Sequence, residues 1–198
     1  MFEGDRSMPP DRAAAPAIVI CPGFHPPALT ADFVAQVTTL PLVADWWVVP
    51  HDRVAPYDSL AIAHWLVTHS GGRSPQTAPP LILIGFSAGV VGAVGAAIAW
   101  TALGGTVRAV FALDGWGVPA VGNLPLHRLS HDAWTHGTSA LLGAGQTSFY
   151  ADPGVAHLEL WRSPQQVVGW AVTPAATYPC TALEFLHHEL QRYCGDRP

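Results

Sequence analysis

Between Pro16 and Asp114 the chain alternates between two kinds of hydrophobic pattern. Short, almost wholly apolar runs, "AIVIC" (17–21), "DWWVVP" (45–50), "LILIGF" (81–86) and "VRAVFALD" (107–114), read as buried strands. Longer stretches of helical character separate them. "LTADFVAQVTTL" is read as a helix capped by Thr30 and stopped by Pro41, and "SLAIAHWLVTHSGG" as one capped by Asp58 or Ser59 and ended by Gly71. Residues 88–103 form a third helix, rich in Gly and Ala. This βαβαβαβ order is the signature of a parallel sheet with helices on both faces.

Beyond Asp114 the pattern loosens. Residues 114–125 are rich in Gly and Pro, so the fourth crossover is absent or very short. "LHRLSHD" is read as a fifth strand, "TSALLGAG" as a short helix, "QTSFYAD" as a last strand, and "SPQQVVGWAV" as a helix capped by Ser163 with Pro164 at its first position. The closing helix opens on a capping box, Thr181 with Glu184, and puts Leu183, Leu186, Leu190 and Tyr193 on one face. The expected fold is a single α/β domain over 16–198 with a doubly wound, mostly parallel sheet of about six strands, preceded by a tail over 1–15.

Composition narrows the function. With 198 residues, 49% of them hydrophobic and 12% charged, the chain can bury one sizeable core. Its net charge is −5, and the nine cationic residues are scattered arginines, so nothing tracks a phosphate backbone and nucleic acid is not an expected partner. Cys21, Cys180 and Cys194 form no disulfide or metal pattern, which points to a reducing cytoplasm. No apolar run reaches membrane-spanning length, and no secretory signal is visible.

The chemistry concentrates in Gly85-Phe86-Ser87-Ala88-Gly89, a G-x-S-x-G sequence with a strand before it and a helix after it. Such a serine sits on a tight, strained turn, and the flanking glycines let strand and helix approach. The helix N-terminus then directs N–H groups and positive dipole at a developing oxyanion.

These residues resemble the nucleophile elbow of the α/β-hydrolase superfamily, in particular its compact, lidless esterase and lipase-like members, over about residues 16–194. "RLSHDAWTH" and "ADPGVAHLELWRSP" also look like a small hydrolase-like family of cyanobacteria, which adds no chemistry. The superfamily resemblance implies the chain order nucleophile, acid, histidine. Ser87 is then the nucleophile and His157, after "SFYAD" and a Pro-Gly loop, the base. Asp132, at the end of the fifth strand, is the expected acid; Asp114, at the end of the fourth, is the alternative, and Asp152 is expected to shape the loop before His157. The oxyanion donors implied are the N–H groups of Ala88 and Phe24, the latter in "CPGFHPP".

His25 is a candidate gate or substrate contact, and Trp116 and Trp134, each two residues after a candidate acid, are candidate walls of an acyl pocket. His127, His131 and His136 lack the spacing of a catalytic zinc motif and read as polar support of the acid loop, so neither a metal nor a cofactor is expected. The sequence thus points to a serine hydrolase acting on a small ester or thioester, with a catalytically silent binding module of the same fold as the alternative. The short 114–125 connection implies an open cleft without a helical cap. Oligomeric state is left open.

Overall fold

The computed structural model describes residues 15–115 and 117–195. The expected tail lies, except for its last residue, outside them, as does Trp116. Among the described residues one eight-stranded sheet forms, in spatial order β2-β1-β3-β4-β5-β6-β7-β8. The strands are β1 (Ala17–Cys21), β2 (Asp45–Val48), β3 (Leu81–Phe86), β4 (Val107–Leu113), β5 (Leu126–Ser130), β6 (Thr147–Ala151), β7 (Val168–Val172) and β8 (Thr177–Thr181). The first six run parallel, and β7 and β8 are added antiparallel.

Helices cover both faces. They are α1 (Pro27–Val37), α2 (Ser59–His69), α3 (Ala88–Ala102), α4 (Ala133–Ala140), α5 (His157–Arg162) and α6 (Ala182–Cys194). Because successive strand residues point to opposite faces, each central strand feeds two cores. Ile18, Ile20, Ile82, Ile84 and Phe86 pack with α1, α5 and α6, whereas Val19, Leu81, Leu83 and Val110 pack with α2 and α3. This two-sided burial explains why the strands read as continuous apolar runs.

The last third differs from the sequence expectation of about six strands. "SPQQVVGWAV" is not a helix: Ser163 ends α5, and Val168–Val172 is β7. The run carries β-branched residues and an aromatic, and Gly169 lets it approach β6, since a Cβ there would meet the Ala151 Cα at 2.8 Å. Pro179 is tolerated in β8 because that strand is at the sheet edge. Thr30 does not cap α1 either. The helix begins three residues earlier at Pro27, and the Thr30 hydroxyl lies 2.8 Å from His25 Nε2. The Asp58 cap and the Thr181–Glu184 capping box are present as expected. No helix among the described residues is long and apolar enough to cross a membrane.

The chain proceeds from β1 outward to β2 and then returns to place β3 on the other side of β1. At such a reversal the loops after the two strands diverge and leave a crevice at their C-terminal ends. Cys21 leads into Pro22-Gly23-Phe24 on one side of it and Phe86 into Ser87 on the other.

A buried polar network closes the opposite side of β5. His127 is wholly buried, stacks on Phe111 with ring centroids 4.7 Å apart, and has its nitrogens 2.6 Å from Thr147 Oγ1 and 2.8 Å from Tyr193 Oη. Burial, reinforced by Arg192 and opposed by Glu189, lowers its pKa to about 4; burial also lowers that of His25 to about 4. Unfolding therefore takes up about two protons between pH 6.5 and 4. Both folded-state pKa values are depressed below the unfolded value, so this stability is complete above pH 6.5 and is lost as pH falls toward 4. Urea midpoints measured across that range should decline with falling pH, and His127→Gln should flatten the decline; a midpoint that rises on acidification contradicts the linkage.

Candidate functional site

Ser87 occupies the one-residue turn between β3 and α3 with φ 52° and ψ −123°, a conformation side-chain-bearing residues seldom adopt and worth on the order of 1–3 kcal/mol of strain. Packing of the surrounding backbone enforces it. A Cβ on Gly85 would lie 2.8 Å from the Val90 Cα, one on Gly89 would collide with the carbonyl oxygens of Cys21 and Pro22, and one on Gly23 would lie 2.7 Å from the Phe86 carbonyl oxygen and 3.1 Å from the Ser87 Cβ. Three chain segments thus meet at backbone distance around one hydroxyl-bearing residue. Ala88 is the first residue of α3, so its N–H belongs to the helix end that makes no intrahelical bond.

Asp114 follows β4 directly and sits beside Ser87 across the strand pair. Phe86 pairs with Leu113, and the Ser87 N–H donates to the Leu113 carbonyl at 2.9 Å. Its side chain is 1% exposed. Oδ1 accepts the His131 backbone N–H at 2.9 Å; Oδ2 lies 2.8 Å from His157 Nδ1 and 3.0 Å from His131 Nδ1. A carboxylate only accepts, so both rings carry their proton on Nδ1 in these contacts and present a free Nε2 lone pair when neutral.

His157 opens α5. The loop before it is tied to β5 by the Val155 N–H donating to the His131 carbonyl at 2.9 Å, and its ring stacks on Phe86 with centroids 4.7 Å apart and planes 23° apart. Ser87, His157, Asp114 and His131 border one open cleft of about 440 Å³, with Ala88, Val91, Trp134 and Thr135 completing its wall.

The carboxylate on His157 is therefore that of Asp114 rather than the expected Asp132. Asp132 faces the other way, capping α4: its Oδ1 accepts the Thr135 N–H at 2.6 Å, and this bond, foremost among several, holds its carboxyl below the usual range. Its second oxygen is 3.4 Å from His131 Nε2. The physical reason is lateral position, because Asp114 ends the strand next to Ser87 and Asp132 lies beyond the end of the next strand out. Asp152 accepts from Trp170 Nε1 at 3.0 Å.

The other candidates separate. Trp134 is at the mouth of the cleft, 78% exposed, as a wall residue would be. Phe24 is 70% exposed and its ring lies 5.9 Å from that of Tyr57. His25 turns toward the core, its ring against Phe86 and Trp161 at centroid distances of 5.4 and 5.9 Å, which does not suit a gate. His127, His131 and His136 do not converge: His127 faces Tyr193 and His136 stacks on Tyr150. His131, expected as polar support of the Asp132 loop, instead bonds Asp114; its position directly after β5 is the one sequence signal of that contact.

No family model matches the chain, and none of the curated proteins does. Among solved structures it is similar to a cutinase-like protein from Cryptococcus sp., with a TM-score of 0.37 and 16% identity. That similarity covers 54% of this chain and 56% of the other, so the match spans little more than half of either protein.

The turn's packing predicts opposite outcomes for two Gly→Ala changes. Gly85→Ala should destabilise by at least about 1–3 kcal/mol, because the added methyl meets backbone. Gly137→Ala, mid-helix in α4 with nothing within 4 Å of its added Cβ, should stabilise by about 0.5–1 kcal/mol. Thermal denaturation of both variants checks the pair, and equal effects would contradict the packing.

Proposed function

We propose that this chain is a serine hydrolase of the α/β-hydrolase type that cleaves carboxylic esters or thioesters through an acyl-enzyme. The observation that carries the reading is the 2.8 Å contact of His157 Nδ1 with the buried Asp114 carboxylate, in the same cleft as a strained serine at a helix N-terminus. Two such features together are what nucleophilic catalysis by a weak hydroxyl requires.

In this mechanism Ser87 Oγ attacks the carbonyl carbon while its proton passes to His157 Nε2. Asp114 holds the ring in the tautomer with Nδ1 protonated and stabilises the imidazolium that forms. The Ala88 N–H, with that of Phe24, receives the negative charge on the carbonyl oxygen. Collapse breaks the C–O or C–S bond, and His157 returns the proton to the departing alcohol or thiol. Water, deprotonated by the same Nε2, then attacks the acyl carbon and restores Ser87.

Substrate class follows from the rim. Val91 and Trp134 line the cleft, and Phe24 and Leu158 are exposed beside Ser87's and His157's segments, so an apolar acyl group is favoured over a charged one. The β4–β5 connection carries no helix among the described residues, which agrees with an open cleft and modest chain-length selectivity.

A fluorophosphonate probe should label Ser87 alone, and short p-nitrophenyl esters should turn over in a way abolished by Ser87→Ala. Folded protein that takes no probe and turns over no acyl chain length would overturn the proposal in favour of a binding module. Asp114→Asn should lower kcat by on the order of 10⁴ where control of the tautomer is lost, whereas Asp132→Asn, which preserves an N-cap, should retain most activity. The reverse ranking would return the acid to Asp132.

A further inference from the structure

A single imidazole on Asp114 is all that a serine hydrolase needs, yet two converge on the same oxygen. His157 Nδ1 and His131 Nδ1 lie 2.8 and 3.0 Å from Asp114 Oδ2, and the three atoms all fall within 4.8 Å of one another. We propose that Asp114, His131 and His157 form a binding site for a zinc-like divalent cation, and that the bound ion switches off the hydrolase. The second half rests on the function proposed above; the first does not.

The donor set is two imidazole nitrogens and one carboxylate oxygen, the combination that borderline ions such as Zn²⁺ accept with one position left for water. Ligand bonds of about 2.0–2.1 Å in a tetrahedron put neighbouring ligand atoms about 3.3 Å apart. For an ion to enter, the nitrogens must open from the oxygen by about 0.3–0.5 Å and close on each other from a separation of up to 4.8 Å, a movement of the two part-exposed rings. The oxygen is fixed in advance, since Asp114 is buried and its other oxygen is held by the His131 N–H at 2.9 Å. An entry path exists because the side chains of His131 and His157 are 23% and 41% exposed on the cleft.

His131 Nε2 lies 3.4 Å from Asp132 Oδ2, within ion-pair distance but outside hydrogen-bond geometry, so in a ring with metal on Nδ1 a small rotation would bring the other nitrogen's proton onto a carboxylate. This carboxylate–histidine–metal order is how ligating imidazoles are oriented and made more basic. A hydrolytic triad alone has no use for it.

The consequence for catalysis is a proton count. In the metal-free site each ring carries its proton on Nδ1, and in the mechanism proposed above His157 Nε2 takes the Ser87 proton. Coordination of M²⁺ through both Nδ1 lone pairs moves each ring's proton to Nε2, with no redox change and no net proton released from neutral rings. His157 Nε2 then donates instead of accepting, and the base is gone. Removal of the ion reverses the change.

The test uses tag-free protein stripped with EDTA. Titration with Co²⁺ should give the strong visible bands of a tetrahedral site, and calorimetry with Zn²⁺ one ion per chain. His131→Gln, checked for folding by circular dichroism, should weaken both affinities by about 100-fold or more, while His64→Gln on the exposed side of α2 leaves them unchanged. Absence of binding, or binding that survives His131→Gln, overturns the site. In a second arm, saturating Zn²⁺ should slow fluorophosphonate labelling at least tenfold, with recovery on EDTA; undiminished labelling of Zn²⁺-loaded protein overturns the inhibitory role. A metal-free protein that is never labelled fails the hydrolase reading instead, and the Co²⁺ titration still decides the site.

Discussion

Backbone contact without side chains, at the point where β1, β3 and α3 meet, is the constraint on which the rest of the structure depends. Gly23, Gly85 and Gly89 each press a neighbouring backbone or the Ser87 Cβ so closely that no Cβ of their own fits. That closeness forces Ser87 to a positive φ and puts it at the head of a helix. The strain is local, and the packing of α3 against the sheet offsets it: Val90, Ala93, Ala97 and Trp100 bury their side chains in one continuous core with Val19, Leu83 and Val110.

Given that turn, topology does the rest. Parallel strands deliver all their C-terminal ends to one edge, so Phe24, Ser87, Asp114 and His131 follow β1, β3, β4 and β5 onto the same side, and the loop after β6 brings His157 across to join them. Electrostatics then selects the arrangement. A carboxylate with 1% exposure needs its lone pairs filled, and Asp114 meets that need with one backbone N–H and two imidazoles. Asp132, one-third exposed, meets its own need with the N-terminus of α4.

Much of this was legible in the chain, for definite reasons. Strands buried on both faces are continuous apolar runs, and β1, β3 and β4 announce themselves that way; the G-x-S-x-G turn is short-range chemistry that five residues carry by themselves. The expected base, His157, does lie in the cleft beside Ser87. The identity of the carboxylate on it was not legible, because Asp114 and Asp132 both end strands and only strand order decides which is adjacent to Ser87. β7 is hard to recognise because "VVGWAV" is short and apolar, and periodicity alone does not tell such a run from a helix turn. His131 shows itself only by its place directly after β5, since its contact with Asp114 spans seventeen residues.

In the proposed mechanism one buried carboxylate, Asp114, orients the histidine that activates Ser87. A crystal structure of the protein after reaction with a fluorophosphonate tests it most directly. Phosphorus should be bonded to Ser87 Oγ, with the phosphoryl oxygen against the Ala88 N–H and His157 Nδ1 still on Asp114. Phosphorus on another residue, or His157 bonded to Asp132 with Asp114 turned away, would contradict it.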